Sequence, residues 1–254
     1  MTRRLVFAAF LGLASFALAQ DEPLPKPETI LDRYVEVTGG KAAYQKRKNE
    51  IATGAIEFKA QGLKGTITRY AAEPAQEYSV IDLEGVGKIE GGMNGGVAWE
   101  KSVIMGARLK TGEERAQAIR EGTFNASLHW REMYPKVETV GTETIDGELC
   151  YKVTLTPKEG KSETMFFQKK SGLAIKTTTI AVSQMGEVPL EVIVNEYKTF
   201  GGVSVPTKIT QKFGGQEFSL TISDVKTNQA IPADRFDLPD EVKALLNKPA
   251  PAKK

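Results

Sequence analysis

The chain has 254 residues, 41% of them hydrophobic and 26% charged, with one cysteine and one histidine. Its 34 basic and 32 acidic residues leave a formal charge of +2 and are interspersed, so no basic stripe offers itself to nucleic acid. Cys150 alone cannot form an internal disulfide, and His129 alone cannot build a multi-histidine metal site.

Arg3-Arg4 precede an apolar run, Leu5 to Leu18, that closes on Ala17-Leu18-Ala19. A basic start, an apolar middle and small residues before the cut read as a signal peptide, residues 1–19. The run is short for a membrane span, which needs about 20 apolar residues. No cysteine lies near the cleavage point to take a lipid. The mature protein is therefore expected to be soluble, in the periplasm or secreted. Residues 20–27 form a polar, proline-rich leader, residues 28–247 one domain, and residues 248–254 a Pro/Ala/Lys tail with too little apolar surface to order.

Ile30, Leu31, Tyr34, Val35 and Val37 recur at helical spacing, so a helix starts near Glu28 and stops at Thr38-Gly39-Gly40. A second helical piece follows at Lys41–Lys48. Strands are then expected at Ile51–Ala60, Gly65–Tyr70, Glu77–Leu83, Gly87–Gly91 and Gly95–Val103. The glycine run Gly91–Gly96 lacks the Lys-Ser/Thr pair and the following helix of a phosphate loop, which makes it a hairpin turn.

Thr111 to Tyr134 interrupts the strands. Thr111 with Glu114 fits a capping box, and Gly122 and Asn125 divide the segment into two short helices that Pro135 ends. Two readings stand: a helical connection packed on the core, or a lid over a cavity.

From Val137 to Lys226 the pattern is a continuous antiparallel meander. In Cys150–Thr156, Tyr151, Val153 and Leu155 share one face and Lys152, Thr154 and Thr156 the other. Asp146-Gly147, Glu159-Gly160, Ser171-Gly172, Met185-Gly186, Gly201-Gly202 and Gly214-Gly215 punctuate the strands. A short strand end is expected at Asn228–Ile231 and a last helix at Asp240–Leu246. Several strands carry apolar residues on both faces, such as Met165 and Phe167 against Phe166. Either a second layer covers each face, or the sheet curls around an apolar interior.

Nothing here assembles a reaction centre. The expectation is a non-catalytic protein with no cofactor and no metal.

The order of elements resembles the LolA-like family, the periplasmic outer-membrane lipoprotein carriers and lipoprotein-sorting proteins. The resemblance rests on the first amphipathic helix, strands ending in Glu73-Pro74, a glycine-rich hairpin leading to Trp99, the helical interruption, Tyr151–Lys158 with Met165–Phe167 and Ser171-Gly172-Leu173, and the close on Phe236-Asp237-Leu238-Pro239. It implies a mainly β (α+β) fold: a single strongly curved antiparallel sheet, an unclosed β-barrel, with helices plugging the concave face. It also implies a cavity for acyl chains, each buried methylene contributing about 0.8 kcal/mol. Where the carriers tend to have Arg before the proline this chain has Glu73, so that residue's role does not carry over. Trp99, Met105, Phe124, Leu128, Trp130, Phe166, Phe167 and Ile175 are expected to line the cavity or its lid. The expected partner is a lipid or an acylated lipoprotein, met by a monomer with a transient envelope-membrane contact. The alternative is an envelope structural or interaction module without bound lipid.

Overall fold

The structure, a computed structural model, describes residues 23–183 and 186–247. The segments expected to be a signal peptide and a Pro/Ala/Lys tail, and Met185 of the expected Met185-Gly186 turn, lie outside the described residues. Thirteen strands are present among those described, in two meanders. The first runs through β1 (Asn49–Phe58), β2 (Leu63–Ala72), β3 (Gln76–Leu83), β4 (Gly87–Asn94), β5 (Val97–Ser102) and β6 (Gly106–Leu109). The second runs through β7 (Lys136–Ile145), β8 (Glu148–Thr156), β9 (Glu163–Gln168), β10 (Ala174–Ser183), β11 (Gly186–Phe200), β12 (Val203–Phe213) and β13 (Gln216–Thr227). The sheet order is β6-β5-β4-β3-β2-β1-β13-β12-β11-β10-β9-β8-β7. The first strand thus joins the last in the middle, β6 and β7 are free edges, and the sheet stays open.

Local chemistry explains the meanders. Gly95-Gly96, Asp146-Gly147, Gly201-Gly202 and Gly214-Gly215 all sit at positive φ. Two left-handed residues in a row match the right-handed twist of the strands they join. Gly39, at φ 137°, is required for a different reason: a Cβ there would lie 2.4 Å from the Gly202 carbonyl. That approach seats the junction between α1 (Pro27–Val37) and α2 (Gly40–Lys46) on the β11–β12 turn, where the Ser204 amide donates to the Thr38 carbonyl at 2.8 Å.

The inner face of the second meander carries Val153, Leu155 and Phe167, which pack against Ile30 and Leu31 of α1 and against Trp130. Trp130 begins α4 (Trp130–Met133), which follows α3 (Gly112–Gly122) and a 3-10 turn at Ala126–Leu128. Following the register across β1 and β13 puts Glu50, Ala52, Arg69, Glu77, Met93 and Ala98 on the same inner face, under α3. Tyr70, Tyr78 and Trp99 point outward. There Arg235 lies over both tyrosine rings, and Lys101 reaches Glu241 of α5 (Asp240–Leu246). Both anticipated solutions to the two-sided apolar strands are therefore in use: the sheet curls, and a second layer covers part of its outside.

Two local expectations are corrected, and one strand is added. Thr111 makes no side-chain cap, and the Glu114 carboxylate that would supply the other half of a capping box is held by Arg108 at 2.5 and 2.7 Å. Residues 228–231 form no strand: β13 ends at Thr227, and Asn228 turns the chain at φ 55° with its side chain bonded to Lys48 and Lys46. Gly106–Leu109, too short to show a period, is an edge strand paired with β5.

Candidate functional site

A cavity of about 230 Å³ opens between the inner face of β8–β10 and the helices laid over it. The alternation that makes β8 a strand delivers Leu155 to its floor beside Met165 and Phe167 of β9. The helical stripe of α1 delivers Leu31 and Tyr34, and α4 with the residue after it contributes Trp130, Met133 and Tyr134. Tyr34 meets Phe167 edge-on, with ring centroids 5.6 Å apart, which fixes the floor. A second cavity, of about 330 Å³, lies on the other side of α3 and shares Gln117 and Glu121 with the first. The volumes sit near the roughly 300 Å³ lower end of small-molecule pockets.

One end of the first cavity is polar. Gln117 donates to Glu121 at 2.8 Å, and the Tyr134 hydroxyl donates to Glu163. Burial pushes both carboxyl groups above the ordinary carboxylate range. For Glu121 the neighbouring Glu77 charge adds to this, while Gln117, Lys110 and Arg120 oppose it. For Glu163 the Glu121 charge adds to it, while Tyr134 and Arg120 oppose it. Burial and the Glu163 charge in turn push the Tyr134 phenol far up.

These shifts carry a sign. A carboxyl whose pKa is raised by folding favours the folded state at low pH. That contribution is lost as pH rises from the ordinary carboxylate value through the raised one. Replacing both Glu121 and Glu163 by Gln should therefore improve stability relative to the wild type more near neutral pH than in mild acid. Thermal melts of both proteins across that interval measure it, and a pH-independent difference would refute it.

The structure brings Trp130 and Phe167 to the cavity wall. The other six residues expected there lie elsewhere. Leu128 sits in the 3-10 turn whose neighbours Ala126 and Ser127 reach the wall. Ile175 occupies the bulge between Ala174 and Lys176. Phe124 is buried against Arg47, 5.6 Å from its ring. Phe166 faces outward, 3% exposed, with the Lys152 and Lys176 ammonium groups 5.5 and 5.4 Å from its ring and their stems over it. Trp99 is on the outer face because β5 turns Ala98 inward; its indole lies so close over Gly92 that a Cβ there would be 2.8 Å away. Met105, at 60% exposed, borders the second cavity from a hairpin tip. His129 is exposed and contacts Glu132 at 3.1 Å, Glu73 pairs with Lys48 at 3.0 Å, and Cys150 is a buried strand residue. Among the described residues no group of metal-ligating side chains comes together, and no helix is long and apolar enough to cross a membrane.

No family model matches the sequence, and neither does a curated protein. Solved structures do. A LolA superfamily protein from Nitrosomonas europaea is 14% identical with a TM-score of 0.58, over 86% of this chain and 100% of that one. A DUF1329 family protein from Desulfovibrio piger is 15% identical with a TM-score of 0.57, over 84% of this chain and 98% of that one. A putative outer membrane lipoprotein-sorting protein domain from Vibrio parahaemolyticus is 12% identical with a TM-score of 0.54, over 87% of this chain and 100% of that one. With the open thirteen-stranded sheet and its inner helices, these similarities establish that the chain has the LolA-like fold.

Proposed function

We propose that this protein is an exported binding protein that holds a hydrocarbon chain between its sheet and its helices, without catalysing a reaction. The observation that carries the reading is the cavity over β8–β10. Its floor is aliphatic and aromatic, its helical cover is pinned at several points, and it is open enough for a ligand to enter. A volume of about 230 Å³ fits one hydrocarbon tail better than the several chains of a fully acylated lipoprotein anchor. The expected cargo is thus a single-tailed lipid, or one chain of a larger lipidated molecule. The similarity to a lipoprotein-sorting protein domain supports a place in the same traffic. Export rests on the signal peptide at residues 1–19.

A membrane contact has a natural position. Val103, Ile104 and Met105 are 74, 81 and 60% exposed at the β5–β6 turn, three successive apolar residues beside the mouth of the second cavity. We place the transient envelope-membrane contact there.

The test is titration with N-phenyl-1-naphthylamine, a neutral fluorophore that brightens in apolar surroundings. The wild type should bind it saturably. Ala126→Phe, which puts a ring into the open space beside the 3-10 turn, should abolish that binding while the melting temperature holds or rises. Equal binding by both proteins would place the probe elsewhere. No saturable binding by the wild type would favour an envelope interaction module without lipid.

A further inference from the structure

The cavity is not uniformly apolar, and the way its polar end is wired says what the ligand's head must be. Glu121 and Glu163 both face it, and each is bonded to a neutral donor: Glu121 to the Gln117 amide at 2.8 Å, Glu163 to the Tyr134 hydroxyl. The second oxygen of each carboxylate has no hydrogen-bond partner among the described residues. Over a third of the surface of Glu121 stays accessible, and both cavities flanking α3 include it.

Of the cations near this end, Lys161 is ion-paired with other carboxylates and Lys110 lies 3.9 Å from Glu100, while the Arg120 charge acts on both Glu121 and Glu163. Arg120 donates to the Glu159 carbonyl at 2.6 Å, and Lys161 lies 2.6 Å from Glu187 and 3.8 Å from Glu113. In the second cavity Arg108 is likewise occupied, by Glu100 and Glu114. An incoming anionic head would meet two carboxylates against one guanidinium, that of Arg120, whose charge already acts on both of them. A head that donates hydrogen bonds, above all an ammonium, would find two acceptors in a site that water leaves when a chain enters.

Resting on the reading of the cavity as a hydrocarbon-chain site, we infer that it selects amphipaths with a cationic, hydrogen-bond-donating head, such as a long-chain amine or an amine-bearing lipid head group, over fatty acids of the same chain length. The raised carboxyl groups agree with this, since an ammonium between them would return both to the charged form. Charge-assisted hydrogen bonds of this kind are about twice as strong as neutral ones.

The experiment is displacement of N-phenyl-1-naphthylamine from the full mature protein by dodecylamine and by dodecanoate, near neutral pH and below micelle-forming concentrations. Dodecylamine should displace the probe at a concentration at least about tenfold lower. In Glu121→Gln/Glu163→Gln, with the affinity of the probe measured first in that variant, the inhibition constants of the two should become equal. Equal displacement by wild type, preference for dodecanoate, or an amine preference that survives in the double variant would each overturn the inference while leaving the chain-binding site in place. If the probe does not bind and dodecylamine gives no saturable heat by calorimetry, the cavity reading and this inference both fall.

Discussion

Phe167→Ala should lower the stability of this protein by about 3–5 kcal/mol, toward the upper end for a core phenylalanine. The ring is 0% exposed, sits edge-on to Tyr34, and packs with Leu31, Val153, Leu155 and Trp130 in the cluster that holds α1 and α4 to the sheet. Two effects add. The apolar surface of the ring is lost, and the space it leaves merges with a cavity already present, so neighbouring side chains have little reason to close in. Equilibrium denaturation should show a lower midpoint at an unchanged slope. Phe167→Leu should fall between the two. A loss below about 1.5 kcal/mol, the range of volume-conserving changes, would mean that the cluster repacks freely.

Glu50→Gln should cost a similar amount, about 3–5 kcal/mol, for an electrostatic reason. Glu50 is 8% exposed on β1, with Arg47 bonded to one carboxylate oxygen and Arg69 to the other at 2.8 Å. Arg69 continues to Glu77 at 3.1 Å, and the Phe124 ring lies on Arg47. Arg47 Nε has no hydrogen-bond partner among the described residues, so this chain of charges is already under-satisfied at one end. Removing the central charge while keeping its volume leaves Arg69 with Glu77 and Arg47 without a carboxylate partner among the described residues. Arg47→Met combined with Glu50→Gln should therefore lose less stability than Glu50→Gln alone. Denaturation of the three proteins measures it, and simple additivity would show that the pairs act independently.

Much of the fold was legible in the sequence because two-residue glycine turns and period-two alternation are local signals. Asp146-Gly147, Gly201-Gly202 and Gly214-Gly215 set the second meander almost strand by strand. The amphipathic stripe with Leu31 and Tyr34 was equally plain, and those residues do reach the cavity. The site was harder to read. Choosing large aromatic residues picked Trp99 and Phe166, whose faces depend on registers and bulges that accumulate across six neighbouring strands. Leu155 and Met165 followed from the same alternation that located Phe167, once one residue of known facing was in hand. The carboxylates were invisible as a pair. Glu121 and Glu163 are ordinary charged residues on a helix and a strand, and only the fold over α3 puts them at one end of one cavity.

The joining of β1 to β13 at the middle of the sheet bears on how the chain reaches this state. Ile51 pairs with Lys226, so the seam between the two meanders waits for the last strand of the sheet. Each meander can form from near neighbours, but the central ladder closes a loop of nearly the whole domain, and such pairing is slow because the entropy of closure comes before its reward. Until then one edge of β1 and one edge of β13 stand unpaired. For the proposed export that delay is an advantage: the part of the chain already across the membrane would not lock into its final sheet while the rest is still in transit.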